Sequence, residues 1–182
     1  GEGKPLRLAI EEGHVFSFIL WGTPGTGKTT LARIYANALN AEFYELSAVS
    51  AGKEDIRKIV RSADTPVGTD AASASGDLFD DGIAGGTGDA DKSVRAPLLF
   101  LDEIHRFNKA QQDFLLPYVE SGELVLIGAT TENPSFEVIP ALLSRMRVFV
   151  LKEFSDADMA AIIDRTGYTL DDEAKQWLIE MA

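Results

Sequence analysis

The chain alternates short, unbroken apolar runs with longer segments whose apolar residues recur at helical spacing. "VFSFILW" (15–21) is continuous and rich in aromatic and β-branched groups, which predicts a strand buried on both faces. Leu31, Ile34, Tyr35 and Ala38 then fall at i, i+3, i+4 and i+7, one face of a helix. "EFYEL" (42–46) predicts a second strand, and Ile56, Ile59, Val60 and Ala63 return to helical spacing. "PLLFL" (97–101), "LVLIGA" (124–129) and "VFVL" (148–151) predict three more strands. Between the third and fourth, Asn108 and Gln111 make a capping-box pair. The helix that follows carries Phe114, Leu115 and Tyr118 and stops at Gly122.

Strands and helices in this alternation imply right-handed crossovers and a five-stranded parallel sheet covered on both faces, an α/β fold. The last thirty residues change character. Ser155–Asp158 and Thr169–Asp172 both match the capping-box pattern. The stripes that follow are Met159, Ile162 and Ile163, then Ala174, Trp177, Leu178 and Met181. We expect a core over 1–153 and the start of a helical lid over 154–182, truncated with its apolar stripe still running. Residues 63–96 fit neither pattern, being mostly Gly, Ser, Ala and Asp. Ordering such a segment costs about 1–2 kcal/mol per residue with little burial to offset it, so a disordered acidic insert is expected.

Composition narrows the picture. A chain of 182 residues, 45% hydrophobic, can bury one good core. No apolar run approaches the ~18 residues of a membrane span, and no secretory signal opens the chain, so a cytoplasmic protein with no membrane partner is expected. The absence of cysteine excludes disulfides and thiolate metal sites. His14 and His105 are too few and too far apart in sequence to suggest zinc. The net charge is −12, and residues 63–96 contribute seven acids against Lys92 and Arg95. That balance argues against strong nucleic-acid binding by this stretch of chain alone.

"GTPGTGKT" (22–29) satisfies G-x-x-x-x-G-K-[ST] directly after a predicted strand and at the start of a predicted helix. Gly22, Gly25 and Gly27 let the backbone curl so that successive N–H groups point inward. With the helix N-terminus they form an anion site. Lys28 can reach β- and γ-phosphates, and the Thr29 hydroxyl can ligate Mg²⁺. Gly22, Thr23, Pro24, Gly25, Thr26, Gly27, Lys28, Thr29 and Thr30 are therefore the candidate nucleotide-binding residues. "PLLFLDEIH" (97–105) exposes Asp102 and Glu103 at the carboxyl end of a strand, where open parallel sheets bind ligands. Asp102 can hold Mg²⁺ through water, and Glu103 can polarise the water that attacks the γ-phosphate.

"ALLSRMRVFVL" (141–151) sets Arg145 and Arg147 among aliphatic groups that must pack against a core. They are either surface charges at a strand entrance or guanidiniums aimed at an anion belonging to another molecule. Among nucleotide enzymes, Ras-like GTPases require N-K-x-D, which "NKAQ" (108–111) lacks. "DEIH" invites comparison with two-lobed helicases, although a chain of this length leaves no room for their second lobe. Trp21 and the phenylalanines read as core residues.

Three segments are specific. "ILWGTPGTGKTTLARIYA", "LFLDEIHRFNKAQQDFLLPYVESGELVLIGATTENPSFEV" and "ALLSRMRVFVL" closely resemble the replication-associated recombination protein A family. Its members are AAA+ ATPases close to clamp loaders and to the Holliday-junction motor RuvB. The resemblance covers nearly the whole chain except 63–96. It implies a P-loop NTPase fold, ATP and Mg²⁺ as ligands, a homo-oligomer, and DNA and replication proteins as partners at stalled forks. It also implies that Thr131 is the sensor-1 residue, with Thr130 and Asn133 as near alternatives. Arg145 matches the clamp-loader arginine finger, with Met146 where those proteins have cysteine and Arg147 as runner-up. The alternatives are a nucleotide-gated interaction module or a RuvB-like motor subunit. Intact Lys28, Thr29, Asp102 and Glu103 favour an active enzyme.

Overall fold

The computed structural model describes residues 5–64, 96–168 and 170–180. In chain order the elements are α1 (Pro5–Glu12), β1 (Phe18–Trp21), α2 (Lys28–Ala38), β2 (Phe43–Ser47), α3 (Lys53–Asp64) and β3 (Leu98–Asp102). A 3₁₀ turn (Ile104–Arg106) leads into α4 (Lys109–Ser121) and β4 (Val125–Thr130). Then come α5 (Pro134–Glu137), α6 (Pro140–Leu143), β5 (Arg147–Val150), α7 (Asp156–Arg165) and α8 (Asp172–Glu180). All five expected strands form, and every pairing is parallel, in the order β2-β3-β4-β1-β5.

Alternation along the strands divides the core into two layers, because successive side chains leave opposite faces. Phe18, Leu20, Leu98, Phe100, Val125, Ile127 and Ala129 pack against α2 on one face. Ile19, Leu99, Leu101 and Leu126 pack against Ile56 and Ile59 of α3, Leu115 of α4 and Leu142 of α6 on the other. The helix after β1 and the segment after β4 therefore lie on opposite faces, while β1 and β4 are neighbours. That arrangement opens a crevice at their carboxyl ends.

Local signals account for most boundaries. The Asn108–Gln111 capping box forms with both reciprocal bonds, and α4 ends at Gly122 with φ 77°. Ser155 caps α7 through the expected box with Asp158. Elsewhere the structure corrects the sequence reading. In α2 the buried stripe is Ala32, Tyr35, Ala36 and Leu39, while Ile34 is 56% exposed. The two alanines let the helix lie close on the sheet, and Tyr35 packs edge-on against Phe18 with ring centroids 5.1 Å apart. α8 begins at Asp172 and is capped by Asp171, whose carboxylate accepts from the Ala174 N–H at 2.7 Å. Aspartate is at least as good an N-cap as threonine. The expected cap residue Thr169 lies outside the described residues, as do 65–95 of the acidic segment.

The segment around Arg145 and Arg147 packs against the core as expected, through Leu142, Met146, Phe149 and Leu151, but β5 itself is only partly covered. It is an edge strand paired only to β1, and Val148 and Val150 are exposed. Phe136 and Phe154 are also exposed, so the phenylalanines are not uniformly core residues. Phe136 lies on the four-residue helix α5, and Phe154 on the connection from β5 to α7.

Candidate nucleotide-binding site

β1 ends at Trp21 and the chain turns through Gly22–Gly27 into α2. Gly25 and Gly27 adopt φ of 82° and 80°, the left-handed region in which a Cβ is costly. Gly22 is required for a different reason. A Cβ there would stand 2.6 Å from the Leu151 carbonyl oxygen, so its role is close approach of backbone to backbone. The Thr26 hydroxyl donates to the Thr23 carbonyl at 2.9 Å and braces the loop from within. Lys28 Nζ donates to the carbonyls of Gly22 and Thr23, both at 2.8 Å, placing the ammonium inside the curl of the loop. α2 starts at Lys28 with no acidic residue in its first turn, so the positive end of its dipole is uncompensated. Thr29 is half-buried and Thr30 exposed.

Asp102 closes β3, and its Oδ1 accepts from the Glu103 N–H at 3.1 Å. Glu103 follows at φ 55° and ψ 47°, one of two non-glycine residues with positive φ among those described. Such a conformation persists only where the surroundings over-determine it. Ile104, the next residue, is fully buried against β4.

One strand, β4, separates β1 from β3, so the loop and the acids rise about 9.5 Å apart on the same edge of the sheet. Direct contacts bridge the interval. The Gly22 N–H donates to the Thr130 carbonyl at 3.2 Å. Thr130 Oγ1 lies 3.0 Å from His105 Nδ1. His105 Nε2 lies 3.2 Å from Glu103 Oε2. The glycine loop and the acidic pair thus meet through the end of β4. The sequence reading placed both groups at strand ends and did not find the His105 link, although a histidine two residues beyond Glu103 was the signal for it.

The other expected site residues lie around this centre. Thr131 immediately follows β4 and is half-buried, whereas the Thr130 side chain is buried. Asn133 caps α5, its carbonyl oxygen accepting from the Ser135 N–H at 3.0 Å. Arg145 lies on the exposed turn after α6. Its Nη1 donates to the Ala141 carbonyl at 2.7 Å and its Nη2 pairs with the Glu120 carboxylate. Arg147 is engaged differently, with its guanidinium 4.4 Å from the centre of the Phe16 ring. Met146, between them, is buried, so the two arginines flank an anchor in the core.

A cavity of about 670 Å³ opens between the loop and the C-terminal helices, lined by Pro24, Gly25, Thr26, Phe154, Met159 and Ile162 among others. Glu153 and Asp156 share this lining. That volume falls in the range of ligand sites. Among the described residues no three or more His, Cys, Asp or Glu side chains cluster to hold a metal by themselves. Thr29 and Asp102 offer hard oxygen donors, which suit a Mg²⁺ ion that keeps waters and takes phosphate oxygens.

The fold and this site define a P-loop NTPase. The model of the ATPase family associated with various cellular activities (AAA) matches residues 18–154, and the chain belongs to that family. Within it, the resemblance to replication-associated recombination protein A is borne out. The chain is 47% identical over 165 residues to the protein of that name from Haemophilus influenzae, covering 91% of this chain and 32% of that protein. For the Escherichia coli protein of the same name the identity is 43% over 190 residues, covering 98% and 37%. The chain therefore spans about a third of the length of these curated relatives. Among solved structures, the RuvB Holliday junction branch migration motor of Thermotoga maritima superposes with a TM-score of 0.65 at 27% identity. That match covers 96% of this chain and 52% of that one.

Proposed function

We propose that this chain is the catalytic core of an oligomeric, Mg²⁺-dependent ATPase that acts on DNA at stalled replication forks. The observation that carries the reading is the run of contacts from Gly22 through Thr130 and His105 to Glu103, which joins a phosphate cradle to an acidic pair. The fork assignment is supported by the names of the relatives and by the likeness to a branch-migration motor.

In this reading the triphosphate lies along Gly22–Thr30, where main-chain N–H groups and the α2 dipole offset its charge. The Lys28 ammonium bridges the β- and γ-phosphates. Thr29 and Asp102 hold a Mg²⁺ ion, which neutralises phosphate charge. Glu103 takes a proton from the attacking water, and Thr131 contacts the γ-phosphate from the end of β4. The base enters the 670 Å³ cavity against Phe154, Met159 and Ile162. Arg145 acts on the γ-phosphate held by a neighbouring subunit.

The test uses the intact protein carrying this chain. Lys28→Ala should lose ATP binding by calorimetry. Glu103→Gln should bind ATP normally and fail to turn it over in single-turnover assays, with and without DNA. Wild-type turnover by Glu103→Gln would remove the base assignment.

A further inference from the structure

The hydrolytic reading gives Glu103 a task and leaves His105 without one. Yet the His105 side chain is only 11% exposed, with each ring nitrogen engaged. Nδ1 faces the Thr130 hydroxyl at 3.0 Å and Nε2 faces Glu103 Oε2 at 3.2 Å. Glu103 itself has a left-handed backbone and a side chain one-third exposed. Without a partner its carboxylate would sample several rotamers at the edge of solvent.

The protons available on the two side chains set this contact. A neutral imidazole carries one N–H donor and one acceptor nitrogen, and a threonine hydroxyl has a single proton. The Thr130 hydroxyl has two acceptors within reach, His105 Nδ1 at 3.0 Å and the Glu132 carbonyl at 3.2 Å. If it donates to Nδ1, the ring proton sits on Nε2 and donates to the Glu103 carboxylate. If it donates to Glu132, Nδ1 must carry the ring proton, and Nε2 then turns a lone pair toward a carboxylate, which repels it. For a neutral imidazole, rotating one hydroxyl therefore decides whether His105 holds or releases Glu103. Thr130 is also bonded through its carbonyl to Gly22, the first residue of the phosphate loop.

We propose that His105 is a positioning residue for Glu103, and that the Thr130 hydroxyl switches this hold by selecting the imidazole tautomer. Held through Oε2, the carboxylate presents Oε1 to the attacking water in one orientation. The inference rests on Glu103 being the base, and it assigns roles to two side chains outside the nucleotide contacts. Misplacing a catalytic group by about 1 Å costs on the order of 10²-fold in rate.

The experiment measures steady-state and single-turnover ATP hydrolysis by the intact protein. His105→Ala should lower kcat by about 10²-fold while the KM for ATP and the melting temperature stay close to wild type. His105→Gln has an amide that can donate to Glu103 and accept from Thr130, and it should recover most of the loss. In a Glu103→Gln background, His105→Ala should have no further effect, because its influence passes through that carboxylate. In a Thr130→Val background its effect should shrink, since the two side chains act as one unit. Undiminished kcat in His105→Ala, or an equal additional loss in the Glu103→Gln background, would overturn the proposal. An inactive Glu103→Gln beside an unimpaired His105→Ala refutes this inference alone. A fully active Glu103→Gln refutes the base assignment beneath it.

Discussion

Arg145 and Glu120 provide a test in which two neighbouring substitutions should act in opposite directions. Within one subunit the Arg145 guanidinium pairs with Glu120, and both side chains are more than 40% exposed. An exposed pair of this kind contributes about 0–1 kcal/mol. An arginine delivered to a neighbour's γ-phosphate lowers the barrier far more, with rate effects of about 10³–10⁵, or roughly 4–7 kcal/mol. In the transition state, exchanging Glu120 for phosphate is therefore favourable by several kcal/mol, and only the Nη2 edge has to leave. Nη1 can remain on the Ala141 carbonyl and keep the root of the side chain oriented. Glu120→Gln should then leave ATP turnover unchanged or raise it by up to about 5-fold, the equivalent of 1 kcal/mol. Arg145→Ala should reduce it by about 10³-fold or more while ATP still binds. The assay is steady-state hydrolysis by the assembled protein, titrated with the Lys28→Ala variant. A Lys28→Ala subunit keeps its finger and lacks a working site, so mixing it with Arg145→Ala should restore part of the activity. If Glu120→Gln and Arg145→Ala lose activity equally, the pair is a structural clasp and the finger assignment fails. Absence of recovery in confirmed mixed assemblies would exclude action in trans.

Three further outcomes follow from particular contacts. Gly22→Ala sets a Cβ 2.6 Å from the Leu151 carbonyl oxygen, and Leu151 is held by its own N–H on the Trp21 carbonyl at 2.7 Å. It should cost about 1–3 kcal/mol of stability and weaken ATP binding at least ~10-fold; unchanged calorimetric affinity would show that the loop shifts freely. Gln112→Leu removes a fully buried amide that donates to the Phe107 and Glu137 carbonyls and accepts from the Ile139 N–H, each at 2.9 Å. Urea denaturation should show a loss of about 2–5 kcal/mol, and a loss below about 1 kcal/mol would mean that water replaces the amide. Hydrogen bonds from the Ser155 hydroxyl and then its backbone N–H hold the Asp158 carboxyl below its ordinary value of 3.8. A lowered folded pKa means the stabilisation is present above that value and fades as pH falls through the lower one. The protection of amides at the start of α7, relative to their intrinsic exchange rate at each pH, should therefore fall only below about pH 4, and a fall already near neutral pH would contradict the cap.

The central strands β1, β3 and β4 were legible because they are buried on both faces, which writes them as unbroken apolar runs such as "PLLFL". The phosphate loop was legible because its backbone needs left-handed residues at fixed positions, and Gly25 and Gly27 supply them. Strand order was not legible, since periodicity states that Leu99 and Leu126 are buried without saying which strand lies beside which. α2 misled because Leu31–Ile34–Tyr35–Ala38 and Ala32–Tyr35–Ala36–Leu39 are both acceptable stripes. Small side chains under a closely packed helix decided between them. α1 went unread, for its Pro5–Glu12 segment is short and has only Ala9 buried. In the site, pattern and motif reached the acids and the glycines. The side-chain partners of those acids depend on which strand end faces which, and that is fixed only when the sheet assembles.

Assembly also explains how Glu103 tolerates its backbone. Its left-handed turn directs Ile104 into β4, where the side chain meets Gly128. A Cβ on Gly128 would lie 2.9 Å from Ile104 Cδ1, so the absence of a side chain there makes room for the isoleucine. Burying Ile104 completely contributes roughly 1.5–3 kcal/mol, comparable to the roughly 1–3 kcal/mol cost of a left-handed non-glycine residue. The turn is thus held from below by an apolar plug and from the side by His105. These supports belong to different interactions, one of packing and one of hydrogen bonding. Loosening the imidazole can therefore free the carboxylate without unseating the backbone, which is the separation a switch at this position requires.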